Sequence, residues 1–176
     1  MEEKNYKEYL EHITTFVFDV DGVLTDGTII VTSTGEMLRN MNIKDGYALK
    51  TAVDLGYNVC IISGGSNEGV RSRLKGLGVT DIYLGIQDKT EKLDEYMDIY
   101  NIAPENVLYM GDDIPDLFSM QMVGLPCCPQ DAAPEIKHIC KYVSHKNGGK
   151  GCVRDVIEQV LKVQGKWNNK ADAKYD

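Results

Sequence analysis

Short apolar runs alternate along this chain with segments whose apolar residues recur at helical spacing. The runs predict strands at residues 15–20, 58–62, 81–84, 107–110, 124–128 and 142–143. The segments between them predict helices at residues 5–12, about 45–55, 66–76, 90–100, 115–122, 132–138 and 152–163. Strands that are almost wholly apolar are typical of a parallel sheet buried on both faces. The alternation therefore predicts an α/β fold, a doubly wound, Rossmann-like parallel sheet with helices on both faces.

One segment departs from this rhythm. Residues 28–32 are β-branched, Ser33, Thr34 and Gly35 form a turn signal, and residues 36–41 resume an extended alternation. We expect a small β-hairpin flap at about 28–42, after which Asp45 caps the next helix. The hairpin is too short to be a cap domain, and residues 65–89 hold only one helix and one strand. We predict a single domain at 1–165 and a polar tail at 166–176.

Composition narrows the possible partners. The chain has 176 residues, 43% of them hydrophobic, which suits one domain with a substantial core. A formal charge of −8 argues against nucleic acid and anionic membrane as partners, so a phosphorylated substrate would need local cations. The acidic start does not resemble a signal peptide, and no apolar run approaches the roughly 20 residues of a membrane span. These features predict a cytoplasmic protein with reduced cysteines.

Candidate chemistry lies directly after the predicted strands, where the carboxyl ends of parallel strands form a crevice. Asp19 and Asp21 lie at the exit of the first strand, and Gly22 allows the chain to turn. The later positions are Ser63, Gly64 and Gly65 after the second strand, Lys89 after the third, and Asp112, Asp113 and Asp116 after the fourth. Carboxylates, a hydroxyl and a cation suit Mg²⁺-assisted phosphoryl transfer through an aspartyl-phosphate.

Each of these motifs alone has an ordinary structural explanation, as a surface acidic pair, a turn, a solvated lysine or a helix N-cap. Their occurrence together, in this order at successive strand ends, favours a phosphoryl-transfer site. A two-component receiver domain has similar groups, but its acidic pair comes first and its phosphoacceptor follows the third strand. The order in this chain excludes a receiver.

The motifs resemble those of the haloacid dehalogenase superfamily of phosphohydrolases: DVDGV at 19–23, Ser63, Lys89 and GDDIPD at 111–116. Within it, the similarity to the 3-deoxy-D-manno-octulosonate 8-phosphate (KDO 8-phosphate) phosphatases covers nearly the whole chain. It includes GEMLRNMNIKDGYALK at 35–50, LGIQDK at 84–89, IAPENVLYMGDDIPD at 102–116 and GGKGCVRDVIEQVLKVQGK at 148–166.

This resemblance implies roles for individual residues. Asp19 would be the nucleophile, and Asp21 the general acid and then the general base. Mg²⁺ would be held by the Asp19 carboxylate, the Asp21 backbone carbonyl and the Asp112 carboxylate. Phosphate would be bound by Ser63, Gly64 and Lys89. Asp113 and Asp116 would orient these groups.

The resemblance also implies a substrate and an assembly. The reaction would be hydrolysis of KDO 8-phosphate for lipopolysaccharide precursor synthesis. Substrate contacts would come from Asn42, Ile43, Lys44, Asp45, Gly46 and Arg73. Because there is no cap, we expect a homotetramer in which a neighbouring subunit completes the site, with residues 42–46 and 148–151 contributing.

One position departs from the family. Members commonly carry Arg where this chain has Gly65, so Lys44 or Arg73 would have to face the carboxylate of the sugar acid. Nonulosonate 9-phosphate phosphatases also lack that Arg, which keeps a nine-carbon, sialic-acid-type substrate as an alternative. A non-catalytic scaffold is the alternative of another class, although Asp19 and Asp21 are both present.

Overall fold

The structure, a computed structural model, describes residues 5–167. Its strands are β1 (Thr15–Phe18), β2 (Ile30–Val31), β3 (Met37–Leu38), β4 (Asn58–Ile62), β5 (Asp81–Tyr83), β6 (Val107–Met110), β7 (Leu125–Cys128) and β8 (Tyr142–Val143). Its α-helices are α1 (Tyr6–Leu10), α2 (Ile43–Asp54), α3 (Glu68–Gly76), α4 (Lys89–Tyr100), α5 (Leu117–Gln121), α6 (Pro134–Ile139) and α7 (Cys152–Val163).

The main sheet has the order β5-β4-β1-β6-β7-β8, and every neighbouring pair in it is parallel. In register, Phe18 lies beside Ile61 on one side and Met110 on the other. The strand ends that precede Asp19, Ser63 and Gly111 therefore meet at one edge. This order and the helices around it confirm the predicted doubly wound α/β fold.

Two apolar layers sandwich the sheet, because successive side chains of a strand point to opposite faces. Phe16 and Phe18 pack with α1, α2, α3 and α7, whereas Val17 packs with α4, α5 and α6. All four residues of β1 are buried. Burial of β1 on both faces holds the backbone at Asp19 in a fixed position at the edge of the sheet.

The predicted hairpin is present but shorter. Its ladder joins Ile30 to Leu38 and Val31 to Met37. All four side chains are exposed, from 48% for Leu38 to 69% for Val31. The first strand also ends earlier than expected, at Phe18, because residues Val20–Leu24 form a turn that the Thr25 amide closes by donating to the Val20 carbonyl at 3.0 Å. Between this turn and α2, the chain forms the hairpin and no cap domain.

The start of α2 differs from the prediction, because Asn42 rather than Asp45 is its N-cap. The Asn42 Oδ1 accepts hydrogen bonds from the Lys44 and Asp45 amides, at 2.8 and 3.3 Å. Asp45 is buried, and its Oδ1 accepts the Arg154 amide at the start of α7, at 2.8 Å. Burial raises the pKa of Asp45 to about 6, although the backbone hydrogen bonds from the start of α7 act to lower it. Asp45 thus joins α2 to α7.

The glycine-rich segment before α7 packs on the turn that follows Asp19. The Gly149 amide donates to the Val23 carbonyl at 2.9 Å. A Cβ at Gly148 would lie 1.9 Å from the Gly22 carbonyl oxygen, so only glycine allows this approach. The last part of the chain therefore supports the turn that carries Asp21.

The chain end is described only as far as Trp167, which belongs to the predicted tail but packs on Tyr47 at 6.0 Å between ring centroids. The rest of that tail, 168–176, lies outside the described residues. Within residues 5–167, no helix has the length and apolar character required to cross a bilayer.

The Gly148 contact gives a first prediction. Gly148→Ala should lower the free energy of unfolding by about 1–3 kcal/mol, because the new methyl group displaces backbone atoms. Gly76→Ala is the matched control, since a Cβ at that end of α3 meets nothing within 4 Å. Alanine there should leave stability unchanged or raise it by up to about 1 kcal/mol. Urea unfolding followed by circular dichroism measures both, and equal stability of the two variants would contradict the contact.

Candidate active site

Asp19 and Lys89 form the centre of the site. The Asp19 amide donates to the Met110 carbonyl at 3.1 Å, which continues the β1–β6 pairing past the end of β1. Lys89 is the first residue of α4, and Asp88 caps that helix. The Lys89 Nζ lies 2.9 Å from Asp19 Oδ2 and 2.8 Å from Asp116 Oδ1. This lysine is buried, so its charge acts on both carboxylates with little screening.

Asp116 accepts hydrogen bonds from several groups of the site. It is fully buried, and its Oδ1 accepts hydrogen bonds from Lys89 and from the Tyr109 hydroxyl, the latter at 3.0 Å. Its Oδ2 accepts the Asp112 amide at 3.2 Å. Both oxygens are therefore engaged by the protein. Asp116 thus holds the Lys89 ammonium and the backbone at Asp112.

Asp112 reaches the site through a space that Gly22 provides. Gly22 has φ +86°, and a Cβ on it would lie 1.9 Å from Asp112 Oδ2. Any other residue would both strain the turn and displace this carboxylate. The glycine in the DVDGV motif thus brings Asp112 against the backbone that follows Asp21.

The carboxylates carry more negative charge than Lys89 balances. Burial, together with Asp116, raises the pKa of Asp19 to about 7, although Lys89 opposes this. Burial, together with Asp19 and Asp116, raises the pKa of Asp112 to about 7. For Lys89, burial would lower the pKa, but Asp19 and Asp116 raise it above its usual value. Ionised carboxylates at this site therefore require an additional cation.

The residues present fit a hard divalent cation. One oxygen from each of Asp19, Asp112 and Asp116 lies within 4.8 Å of the others. Carboxylate oxygens are the ligands that Mg²⁺ prefers. The Asp116 side chain is 1% exposed, whereas that of Asp19 is 10% exposed and Asp112 is half-buried, so the Asp19 and Asp112 carboxylates are the better candidates for direct ligands.

A cavity of about 310 Å³ opens above this cluster. It is lined by Asp19, Asp21, Gly27, Ser63, Gly64, Gly65, Lys89, Asp112, Asp113, Pro115 and Asp116. Ser63 is 2% exposed, and its Oγ accepts the Gly65 amide at 3.3 Å. The cavity thus combines a hydroxyl and an ammonium, groups suited to phosphoryl oxygens, with candidate nucleophile and metal-binding carboxylates.

The predicted substrate contacts do not line this cavity. Asn42 caps α2 and donates to the Gly149 carbonyl at 3.3 Å, Ile43 is exposed, and Asp45 is buried under α7. Arg73 lies against Gly46, where a Cβ would be 2.6 Å from its Nη2.

Lys44 also lies outside the 310 Å³ cavity. It lines a separate groove of about 510 Å³ with Lys150 and Arg154. Lys44 and Arg73 are therefore not positioned beside Gly65 within this chain.

The sequence did not identify two residues that lie beside the site. Arg39, next to β3, forms an ion pair with Asp21, and Tyr109 donates to Asp116. Tyr109 lies inside an apolar strand and gave no separate signal. Arg39 could have been noticed as the cation of a hairpin expected to lie over the site.

Comparisons with known proteins agree with this geometry. The haloacid dehalogenase-like hydrolase family profile matches residues 85–157, the part of the chain that carries Lys89 and Asp112. The KDO 8-phosphate phosphatase KdsC of Salmonella typhi is 39% identical over 156 residues, which are 89% of this chain and 83% of that protein. The chain belongs to the haloacid dehalogenase-like hydrolases. Its relatives within that family are phosphatases.

Solved structures of this hydrolase family share the whole fold. The Yersinia pestis KDO 8-phosphate phosphatase has a TM-score of 0.90 and 34% identity, covering 93% of this chain and 88% of that one. The Moraxella catarrhalis KDO 8-phosphate phosphatase has a TM-score of 0.88 and 33% identity, covering 91% and 92% of the two chains. The latter was solved with a magnesium ion, a phosphate ion and a KDO molecule.

The charge of the cluster predicts a pH-dependent response to metal. A carboxyl with a higher pKa in the folded chain binds its proton more tightly there. In chelator, the contribution of Asp19 and Asp112 to the free energy of unfolding should therefore fall as pH rises from about 4 to about 7. Mg²⁺ should raise the melting temperature more at about pH 8 than at about pH 5.5, because protons compete with the metal for these oxygens.

Differential scanning fluorimetry, with chelator or with Mg²⁺ at both pH values, measures this effect. Asp112→Asn should lose most of the Mg²⁺ response. Asp113→Asn is the matched control, because Asp113 is exposed and its carboxylate accepts the Ile114 amide at 2.9 Å. A response that is identical in both variants would contradict the assignment of Asp112.

Proposed function

We propose that this chain is a Mg²⁺-dependent phosphomonoester hydrolase that converts KDO 8-phosphate to KDO and phosphate. The observation that carries the proposal is the Asp19 carboxylate, held 2.9 Å from the Lys89 Nζ at the base of a cavity that Ser63 and Asp112 also line. The 39% identity to KdsC supports the choice of substrate. The product would enter lipopolysaccharide precursor synthesis.

In the first step, an Asp19 oxygen attacks phosphorus and the bond to the sugar oxygen breaks, leaving an aspartyl-phosphate. Asp21 gives its proton to the departing sugar oxygen. The Ser63 hydroxyl, the Gly64 amide and the Lys89 ammonium hold the transferring oxygens, which reduces repulsion between phosphate and carboxylates.

In the second step, water attacks the aspartyl-phosphate. Asp21, now a carboxylate, takes a proton from that water and returns to its starting state, while Asp19 leaves as the free carboxylate. Asp116 keeps Lys89 in place throughout, since Lys89 and Tyr109 both donate to it. When bound by Asp19, Asp112 and the Asp21 carbonyl, Mg²⁺ would supply positive charge that offsets the phosphate and the carboxylates.

A neighbouring subunit is the proposed source of the remaining substrate contacts. The cavity is at the small end of the range for ligand sites, roughly 300–1,000 Å³. Asn42, Lys44 and Arg73 lie outside it, and the hairpin exposes Ile30, Val31, Met37 and Leu38. Contiguous exposed apolar side chains are typical of an interface. We therefore propose a homotetramer in which the 42–46 segment contributes to an adjacent site.

Gly65 favours a second candidate substrate. A Cβ at this position would lie 3.1 Å from Asp21 Oδ2, and glycine places no positive side chain in the cavity where family members commonly have Arg. The nonulosonate 9-phosphates, nine-carbon sugar acid phosphates, are therefore the alternative.

Phosphate release tests both substrates. With Mg²⁺, the wild-type chain should release phosphate fastest from KDO 8-phosphate among sugar acid phosphates of six to nine carbons. Asp19→Asn should reduce turnover by at least about a thousandfold, because the amide cannot form the acyl-phosphate. Asp94→Asn, which removes an exposed carboxylate of α4 outside the cavity, should retain most of the activity. Full turnover by Asp19→Asn would exclude this mechanism, and an inactive wild type would favour the scaffold alternative.

Light scattering tests the assembly. The wild-type chain should have four times the 19.6 kDa mass of the monomer. Val31→Lys, at 69% exposure on the hairpin, should reduce that mass, because a charge would be buried at the interface. Ile99→Lys, at 64% exposure on α4, should not. A wild-type chain that is monomeric and fully active would refute the tetramer.

A further inference from the structure

Arg39 follows β3 of the hairpin and forms two hydrogen bonds with the Asp21 side chain. Its Nε donates to Asp21 Oδ1 at 2.7 Å, and its Nη2 donates to Asp21 Oδ2 at 3.2 Å. Each Asp21 oxygen therefore receives one N–H of the same guanidinium. Such a bidentate fork fixes the plane of a carboxylate, which a single hydrogen bond does not.

The guanidinium is itself held in place. The Arg39 side chain is 9% exposed, and its Nη1 donates to the Met37 carbonyl at 3.2 Å. The Asn67 Nδ2, at the start of α3, donates to the same carbonyl at 3.0 Å. The contact is thus tied to both the hairpin and the body of the protein.

Arg39 lies behind Asp21 with respect to the candidate active site. Asp21 lines both the 310 Å³ cavity and a narrow cleft beside it, whereas Arg39 lines only the cleft. Gly65 leaves room for this arrangement, because a Cβ there would be in tight contact with both partners, 3.1 Å from Asp21 Oδ2 and 3.4 Å from Arg39 Nη2. The arrangement leaves Arg39 no direct contact with the cavity.

We propose that Arg39 is a positioning residue that directs the Asp21 carboxyl group toward the leaving oxygen of the substrate. This inference rests on the proposed function, in which Asp21 is the general acid. As the P–O bond breaks, its electron pair stays on the sugar oxygen, which takes the Asp21 proton. The carboxylate that remains keeps both hydrogen bonds from Arg39. Removal of Arg39 leaves Asp21 free to rotate away from that proton transfer.

Leaving groups of different basicity isolate this role. An alkyl phosphate such as KDO 8-phosphate needs a proton on its leaving oxygen, whereas p-nitrophenyl phosphate releases a stable phenolate without one. The ratio kcat/KM reports steps up to departure of the leaving group. Arg39→Met should lower kcat/KM for the alkyl phosphate by about 30- to 100-fold, at or below the lower end of the roughly 10²- to 10⁴-fold effect of general acid catalysis, because Asp21 itself is still present. For p-nitrophenyl phosphate, kcat/KM should fall by less than about threefold.

Four variants complete the test. Arg39→Lys should recover part of the loss, because it keeps the charge but not the fork. Asp21→Asn should show the same selective loss, and adding Arg39→Met to it should cost less than about twofold more, since the two residues act as one unit. Arg71→Met is the matched control, because that arginine pairs with Glu68 and lies outside the 310 Å³ cavity. It should change neither kcat/KM value.

Equal losses of kcat/KM on both substrates, no loss on either, or additive effects in the double variant would each overturn the role of Arg39. The proposed function fails differently, through a wild-type chain that hydrolyses no sugar acid phosphate. If the wild type prefers a sugar acid phosphate other than KDO 8-phosphate, that compound becomes the alkyl substrate and the same comparison decides.

Discussion

Three buried or half-buried carboxylates share one buried ammonium, and the rest of the site depends on this imbalance of charge. Lys89 lies within 2.9 Å of both Asp19 and Asp116, yet the pKa of Asp19 is still raised to about 7. Desolvation of like charges opposes folding unless a cation or a proton offsets it. Hydrogen bonds to Asp116 help the protein tolerate this arrangement, and Asp19 and Asp112, which keep some exposure, are the candidate groups to take up a metal.

A parallel sheet provides the rigidity that such a cluster requires. Asp19 and Asp112 follow adjacent buried strands, and the amide of Asp19 continues the ladder between them. Burial of β1 on both faces prevents the like-charged groups from moving apart to relieve their repulsion. Because residue 22 is glycine, no side chain there separates the Asp112 carboxylate from the backbone that follows Asp21. The geometry is therefore imposed by packing outside the site.

The sequence predicted the part of the site that follows from strand ends. Asp19, Ser63 and Asp112 come at the ends of apolar runs, and in a parallel sheet the carboxyl ends of such runs meet at one edge. It did not predict partners that depend on packing between distant segments. Asp45 and Asn42 are both good N-cap residues, and contact with α7, 109 residues later, decides between them. The Arg39 to Asp21 pair depends on how the hairpin folds back, which periodicity does not encode.

The packing of the glycine segment on the turn that bears Asp21 makes this turn depend on residues far along the chain. The Gly149 amide and the Cys152 thiol both donate to the Val23 carbonyl, the thiol across 129 residues of sequence. A nascent chain that ends before these residues lacks both donors, although its earlier strands are already available for pairing. The support of the turn bearing Asp21 thus comes from a segment made after all of the candidate site residues. A truncation before Gly149 would therefore remove both donors although it removes none of Asp19, Asp21 or Asp112.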